Sequence, residues 1–98
     1  MHARLSRFAG LDPERVDQTV RQFQEGALPG LEQTPGFAGL TVGVNRKTGQ
    51  AVAISLWESE AAMTQSERLA DEARDRAVET AGPSRDPIVD HYEVVISR

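Results

Sequence analysis

Phe37-Ala38-Gly39-Leu40-Thr41-Val42-Gly43-Val44-Asn45, then Arg46-Lys47-Thr48-Gly49, then Gln50-Ala51-Val52-Ala53-Ile54-Ser55-Leu56-Trp57, is the stretch that decides the fold. The first part alternates with period two and follows Pro35-Gly36, which reads as a strand entered from a turn. Asn45 to Gly49 are turn residues, with Gly49 suited to a left-handed position, and Gln50 to Trp57 is rich in β-formers. The two strands therefore form a hairpin. A one-residue slip would exchange the faces of a strand. With Arg46 to Gly49 as a four-residue loop, Asn45 opposes Gln50, Val44 meets Ala51, Val42 meets Ala53 and Gly43 meets Val52. Large then opposes small on both faces. A three-residue loop would set Val42 against Val52 and Gly43 against Ala51, crowding one face and hollowing the other.

From Ala51 to Trp57 the second strand carries no charge, so both of its faces must be covered. Upstream, Asp12-Pro13 has the form of a helix start, with Asp12 as the cap and Pro13 at the first helical position. Val16, Val20, Phe23, Ala27 and Leu31 then make one apolar stripe, which Pro29-Gly30 should end or break. Downstream, a helix is expected from about Glu58 to Ala81, acidic in its first turn and stopped by Gly82-Pro83. Its polar face, from Glu60 through Glu67 to Glu79, reads as solvated surface. Residues 2 to 8 alternate loosely, and Ile88 to Ser97 alternates as a last strand. The order is β-α-β-β-α-β, an α+β, ferredoxin-like arrangement in which a four-stranded antiparallel sheet carries both helices on one face. One helical layer covers one face of the sheet only, so a homodimer is expected to cover the other.

The totals agree with a small globular domain, read here as a single domain over residues 1–98. Of the 98 residues 39% are hydrophobic and 27% charged, ordinary values for a folded chain. A net charge of −4 with no basic stripe argues against nucleic acid as a partner. Arg4 and Arg7 read as scattered, solvated charges. There is no cysteine, which rules out disulfides, thiolate zinc sites and a cysteine nucleophile. The longest uncharged apolar run is too short to span a bilayer, and the charged N-terminus does not suit a signal peptide. The expectation is a cytoplasmic protein without a membrane partner.

The run from Pro35-Gly36-Phe37 through the hairpin to Ser55-Leu56-Trp57-Glu58-Ser59-Glu60-Ala61-Ala62-Met63 resembles the antibiotic biosynthesis monooxygenase family, as does the order of elements. The resemblance implies a dimeric α+β barrel, in which two sheets pack through their helix-free faces and a ligand cavity lies between sheet and helices in each subunit. Some members degrade haem with an Asn on the first strand, a Trp at the end of the third and a His on the second helix. Trp57 matches the Trp, but residues 1–10 contain no Asn, and Glu67 stands ten residues after Trp57 where the His is expected. Other members oxidise aromatic polyketides without metal or flavin and share an Asn shortly before that Trp and a Tyr after it. Here Ala53 stands four residues before Trp57, and Tyr92 is on the last strand. No cofactor and no metal are expected, and no catalytic residue can be assigned.

Trp57, Phe23 and Met63 are candidates for lining an apolar cavity if both helices pack on one sheet face; packing is the competing reading for each. His91 and Tyr92 have opposite strand parity, so one of them faces the helices. Val94 and Ile96 make the face of Tyr92 the more apolar, which favours Tyr92 inward. A last strand antiparallel to the first, with His2 near Ile96 and His91 near Arg7, would separate His2 from His91 by roughly 15–20 Å at about 3.4 Å per residue, too far for a shared metal. The functional reading is a small-molecule-binding, monooxygenase-like dimer of unassigned substrate, with an aromatic compound as the candidate; the alternative is a non-catalytic binding or stress-response module of the same fold.

Overall fold

The structure is a computed structural model, and it describes residues 1–82 and 86–98. Its elements are β1 (His2–Phe8), α1 (Val16–Glu25), α2 (Ala27–Glu32), β2 (Phe37–Asn45), β3 (Gln50–Trp57), α3 (Glu60–Gln65), α4 (Glu67–Ala81) and β4 (Ile88–Glu93). The four strands form one antiparallel sheet in the order β2-β3-β1-β4, the ferredoxin-like arrangement.

The hairpin has the register its side-chain volumes require: Asn45 opposes Gln50, Val44 opposes Ala51, Val42 opposes Ala53 and Gly43 opposes Val52. Asn45 organises the turn itself. Its Oδ1 accepts from the N–H groups of Lys47 at 3.0 Å and Thr48 at 3.2 Å, while Gly49 N–H closes on Asn45 C=O at 3.0 Å. Gly49 has φ +72°, and a Cβ there would stand 2.8 Å from Leu11 O, so both the backbone angle and the close approach call for glycine.

The helices differ from expectation at three points. Asp12 Oδ1 accepts from Glu14 N–H at 3.0 Å and shapes a turn over Pro13–Arg15, so α1 opens only at Val16. Pro29-Gly30 does not end the first helical run. The run breaks earlier, at Gly26, and restarts as α2, in whose first turn Pro29 loses nothing because that N–H would have no intrahelical acceptor. The second run is two helices meeting at Ser66, whose hydroxyl donates to Met63 C=O at 2.7 Å. Ser59 caps α3 by accepting from Ala62 N–H at 3.1 Å. The run stops at Gly82; the expected stop at Pro83 lies outside the described residues.

The last strand also departs from the expected span and register. It ends at Glu93 instead of Ser97, although Val94 N–H still donates to Met1 C=O at 2.9 Å. His2 opposes Glu93 and Arg4 opposes His91, so His91 lies beside Arg4 and not near Arg7. His2 and His91 are thus diagonal neighbours on one face, roughly 7–8 Å apart by strand geometry, against the 15–20 Å expected. The offset is three residues, an odd slip, so it also exchanges the faces of β4 and brings His91 instead of Tyr92 onto the side of His2 and Arg4.

The core sits at one end of the molecule. Trp57, fully buried, packs with Leu31, Ala62 and Met63, and Phe23 and Phe37 close around them, Phe37 edge-on to the indole at 5.5 Å between centroids. There α3 closes on β1 and β3, and α2 touches β2, whereas α1 and α4 pack on each other.

Candidate functional site

Ala51, Ala53 and Ser55 point to the helix side from β3, and Ala70, Ala73, Ala77 and Ala81 face them from α4. Small side chains on both layers cannot meet across the roughly 10 Å that separates packed layers. The result is a cavity of about 610 Å³ between sheet and helices, open at the end away from Trp57. Leu40, Val42 and Val44 of β2 wall one side; Val16, Val20 and Phe23 of α1 and Leu28 and Leu31 of α2 wall another. Val42 is 44% exposed although it lies on the helix side of the sheet, because it faces this opening.

At the floor the apolar wall gives way to polar groups from β1 and β3. Ser6 Oγ accepts from Arg74 Nη1 at 3.4 Å, and Ser55 Oγ accepts from Trp57 Nε1 at 2.9 Å. Beside them Arg4, expected to be solvated, is buried. Its Nη2 donates to Met63 C=O at 2.7 Å, to Ser66 Oγ at 2.7 Å and to Glu67 Oε1 at 3.0 Å, and its guanidinium lies 5.7 Å from the Trp57 ring centroid. Arg4 thus ties β1 to the junction of α3 and α4. The acidic face of the second helical run is correspondingly not all solvated surface: Glu67 is half-buried and its Oε1 also meets His91 Nε2 at 3.0 Å.

Of the five residues expected around a ligand, Phe23 lines the cavity. Trp57 and Met63 lie in the core cluster just beyond its floor, and neither forms part of the wall. His91, against expectation, is the one on the helix side, where it reaches Glu67; Tyr92, opposite Ala3, is on the helix-free face and half exposed. Apolarity misleads here because the helix-free face is itself apolar, with Leu5, Ile54 and Leu56 across from and beside Tyr92. Arg4, Ser6, Ser55, Arg74 and Glu67 were missed as a cluster. A faint signal was available in Ser6, two residues on and on the same face, whose small side chain leaves room beside an arginine on a central strand.

The family model of antibiotic biosynthesis monooxygenases matches residues 1–81. The chain belongs to the antibiotic biosynthesis monooxygenase family. Solved structures share its fold. A monooxygenase of Streptomyces coelicolor in complex with nanaomycin D superposes with TM-score 0.79 at 19% identity, over 99% of this chain and 89% of that one. SnoaB, a cofactor-independent oxygenase from Streptomyces nogalater, superposes with TM-score 0.66 at 16% identity, over 98% and 94%. At these identities the likeness is one of fold. An uncharacterised protein of Mycobacterium tuberculosis is 30% identical over 81 residues, which are 83% of this chain and 35% of that protein. The chain therefore spans about a third of the length of the curated relatives it matches.

The residues present do not suit haem. Glu67, at the position where haem-degrading members are expected to place the ligating His, has its carboxylate held by Arg4 and His91, and among the described residues no imidazole lines the cavity wall. Among the described residues no group of three or more His, Cys, Asp or Glu side chains could hold a metal ion, and no helix is long and apolar enough to cross a membrane.

Proposed function

We propose that this chain is a small-molecule-binding protein of the monooxygenase type, whose ligand is a flat aromatic compound held in the cavity between sheet and helices. The supporting observation is the cavity: about 610 Å³, walled mainly by Leu, Val, Phe and Ala, with Ser6, Ser55 and Arg74 as a polar group at its floor. Such a space removes an aromatic body from water and orients it by a few hydrogen bonds. Acting as an enzyme, the protein would contribute desolvation and orientation, and a substrate rich in electrons would itself react with dioxygen. Oxygen uptake with a panel of hydroquinones and anthrones tests this; no uptake with any of them, in a preparation that binds them, contradicts catalysis.

That second outcome would favour a non-catalytic binding module, and one observation already leans that way. Among the described residues the cavity wall has no His, Asp, Glu, Cys, Lys or Tyr, so no ordinary general base from them faces a ligand there.

We also propose a homodimer formed through the helix-free face of the sheet, which carries Leu5, Val52, Ile54 and Leu56 with Ile88 and Tyr92 exposed beside them. Sedimentation equilibrium giving a 10.7 kDa species at micromolar concentration would count against it. A cysteine-free chain suits a reducing compartment, and we place the protein in the cytoplasm.

A further inference from the structure

We propose that the cavity selects aromatic ligands bearing an anionic oxygen, a carboxylate or an ionised enol, seated on the floor formed by Ser6, Ser55 and Arg74. The inference rests on the reading of the cavity as a ligand site and adds the charge of the ligand. Its ground is the sign and spare capacity of the polar groups. Among the described residues three arginines, Arg4, Arg46 and Arg74, contribute to the wall, and no carboxylate does. Asp71, the partner of Arg74, is mostly exposed on the outer side of α4, and Glu67 stands behind Arg4, outside the wall.

The hydroxyls are poised to donate. Ser6 and Ser55 are nearly fully buried; each accepts one hydrogen bond, from Arg74 and Trp57, and among the described residues neither hydroxyl donates one. A serine hydroxyl carries one proton to give as well as lone pairs to receive, so both protons are free for a ligand oxygen. The Arg74 bond to Ser6 is long at 3.4 Å, which leaves Nη1 able to turn to a stronger acceptor. Arg4 Nε, a buried N–H without an acceptor among the described residues, lies beneath the cavity surface and is not one of these donors. A cationic ligand end would leave the Ser6, Ser55 and Arg74 donors unmatched and a neutral oxygen would meet them with ordinary hydrogen bonds, whereas an anionic oxygen meets them with stronger, charge-assisted bonds in a water-poor site.

The test is isothermal titration of the full chain with two matched pairs: 2-naphthoate against its methyl ester, and 2-hydroxy-1,4-naphthoquinone, an enolate at neutral pH, against its methyl ether. At least one anion is expected to bind roughly tenfold more tightly than its methyl derivative, as one hydrogen bond to a charged group implies. The pair showing the preference tells carboxylate from enolate. In Arg74→Gln the ratio of the two affinities should fall towards one, with partial recovery in Arg74→Lys; Ser55→Ala should lower it as well. Methyl derivatives binding as tightly as both anions would overturn the proposal and leave the cavity reading intact. A preference that survives Arg74→Gln and Ser55→Ala in folded protein would also overturn it. Binding of none of the four compounds would overturn the proposal and the cavity reading together.

Discussion

Replacing Glu67 by leucine is expected to destabilise the fold more than replacing Arg4 by methionine, although both changes remove the same ion pair. The asymmetry follows from what each leaves behind. Arg4 is 2% exposed, so in Glu67→Leu a guanidinium stays buried with only the neutral acceptors Met63 C=O and Ser66 Oγ. Stranding a buried charge costs about 3–5 kcal/mol, and the two remaining acceptors put the expected loss near the lower end, about 3 kcal/mol. In Arg4→Met nothing is stranded. Met63 C=O still accepts from the Ser66 hydroxyl at 2.7 Å and the Ser66 N–H at 3.1 Å, while Glu67, its side chain 32% exposed, keeps His91 and water. The loss of charge-assisted bonds, about 1.5–3 kcal/mol, and of the contact with the Trp57 ring, about 0.5–2 kcal/mol, is largely offset because the guanidinium no longer has to be desolvated. The net expectation is about 1 kcal/mol, with the double variant well short of the sum and a coupling of about 2 kcal/mol. Urea unfolding followed by Trp57 emission measures this, since the indole is fully buried and enters water on unfolding. Protein concentration must be fixed, because association would shift the midpoint. For a chain of this size the loss in Glu67→Leu corresponds to about 12–24 °C in Tm. If Arg4→Met costs as much as Glu67→Leu, charge balance at the β1–α3–α4 junction is not what the arginine is held for, and the reasoning fails.

Gly36→Ala should cost at least about 2 kcal/mol, because Gly36 has φ +85° and a new Cβ would stand 2.5 Å from Ala62 Cβ; a loss under about half that in the same urea assay would contradict the close packing of this turn on α3. Ser59→Ala removes the cap on Ala62 N–H and should cost about 1 kcal/mol, with Ser59→Asp restoring most of it. Ala77→Leu adds three carbons facing the cavity, where an ordinary packed core would charge about 1–3 kcal/mol for them. Here they enter open space, so thermal unfolding should show no loss of stability while titration shows ligand binding abolished; a clear destabilisation would mean that the layers are in closer contact than the structure shows.

Much of the fold can be read from the chain alone. The hairpin and its register, the order of elements and the uncharged third strand depend on neighbours in sequence, on turn chemistry at Asn45 and Gly49, and on matching large with small side chains across a two-residue period. The apolar stripe of Val16, Val20, Phe23 and Leu31 is legible for the same reason. The site is not. Whether Ala51 and Ala53 meet Ala73 and Ala77 or stand apart depends on how far the helices are held from the sheet, which the bulkier cluster around Trp57 sets at the other end. The burial of Arg4 depends on α3 and α4 parting at Ser66, and the partnership of His91 with Glu67 depends on the offset of β4 against β1. Periodicity assigns a side chain to a face; only long-range docking decides which face the helices cover and which residues meet there.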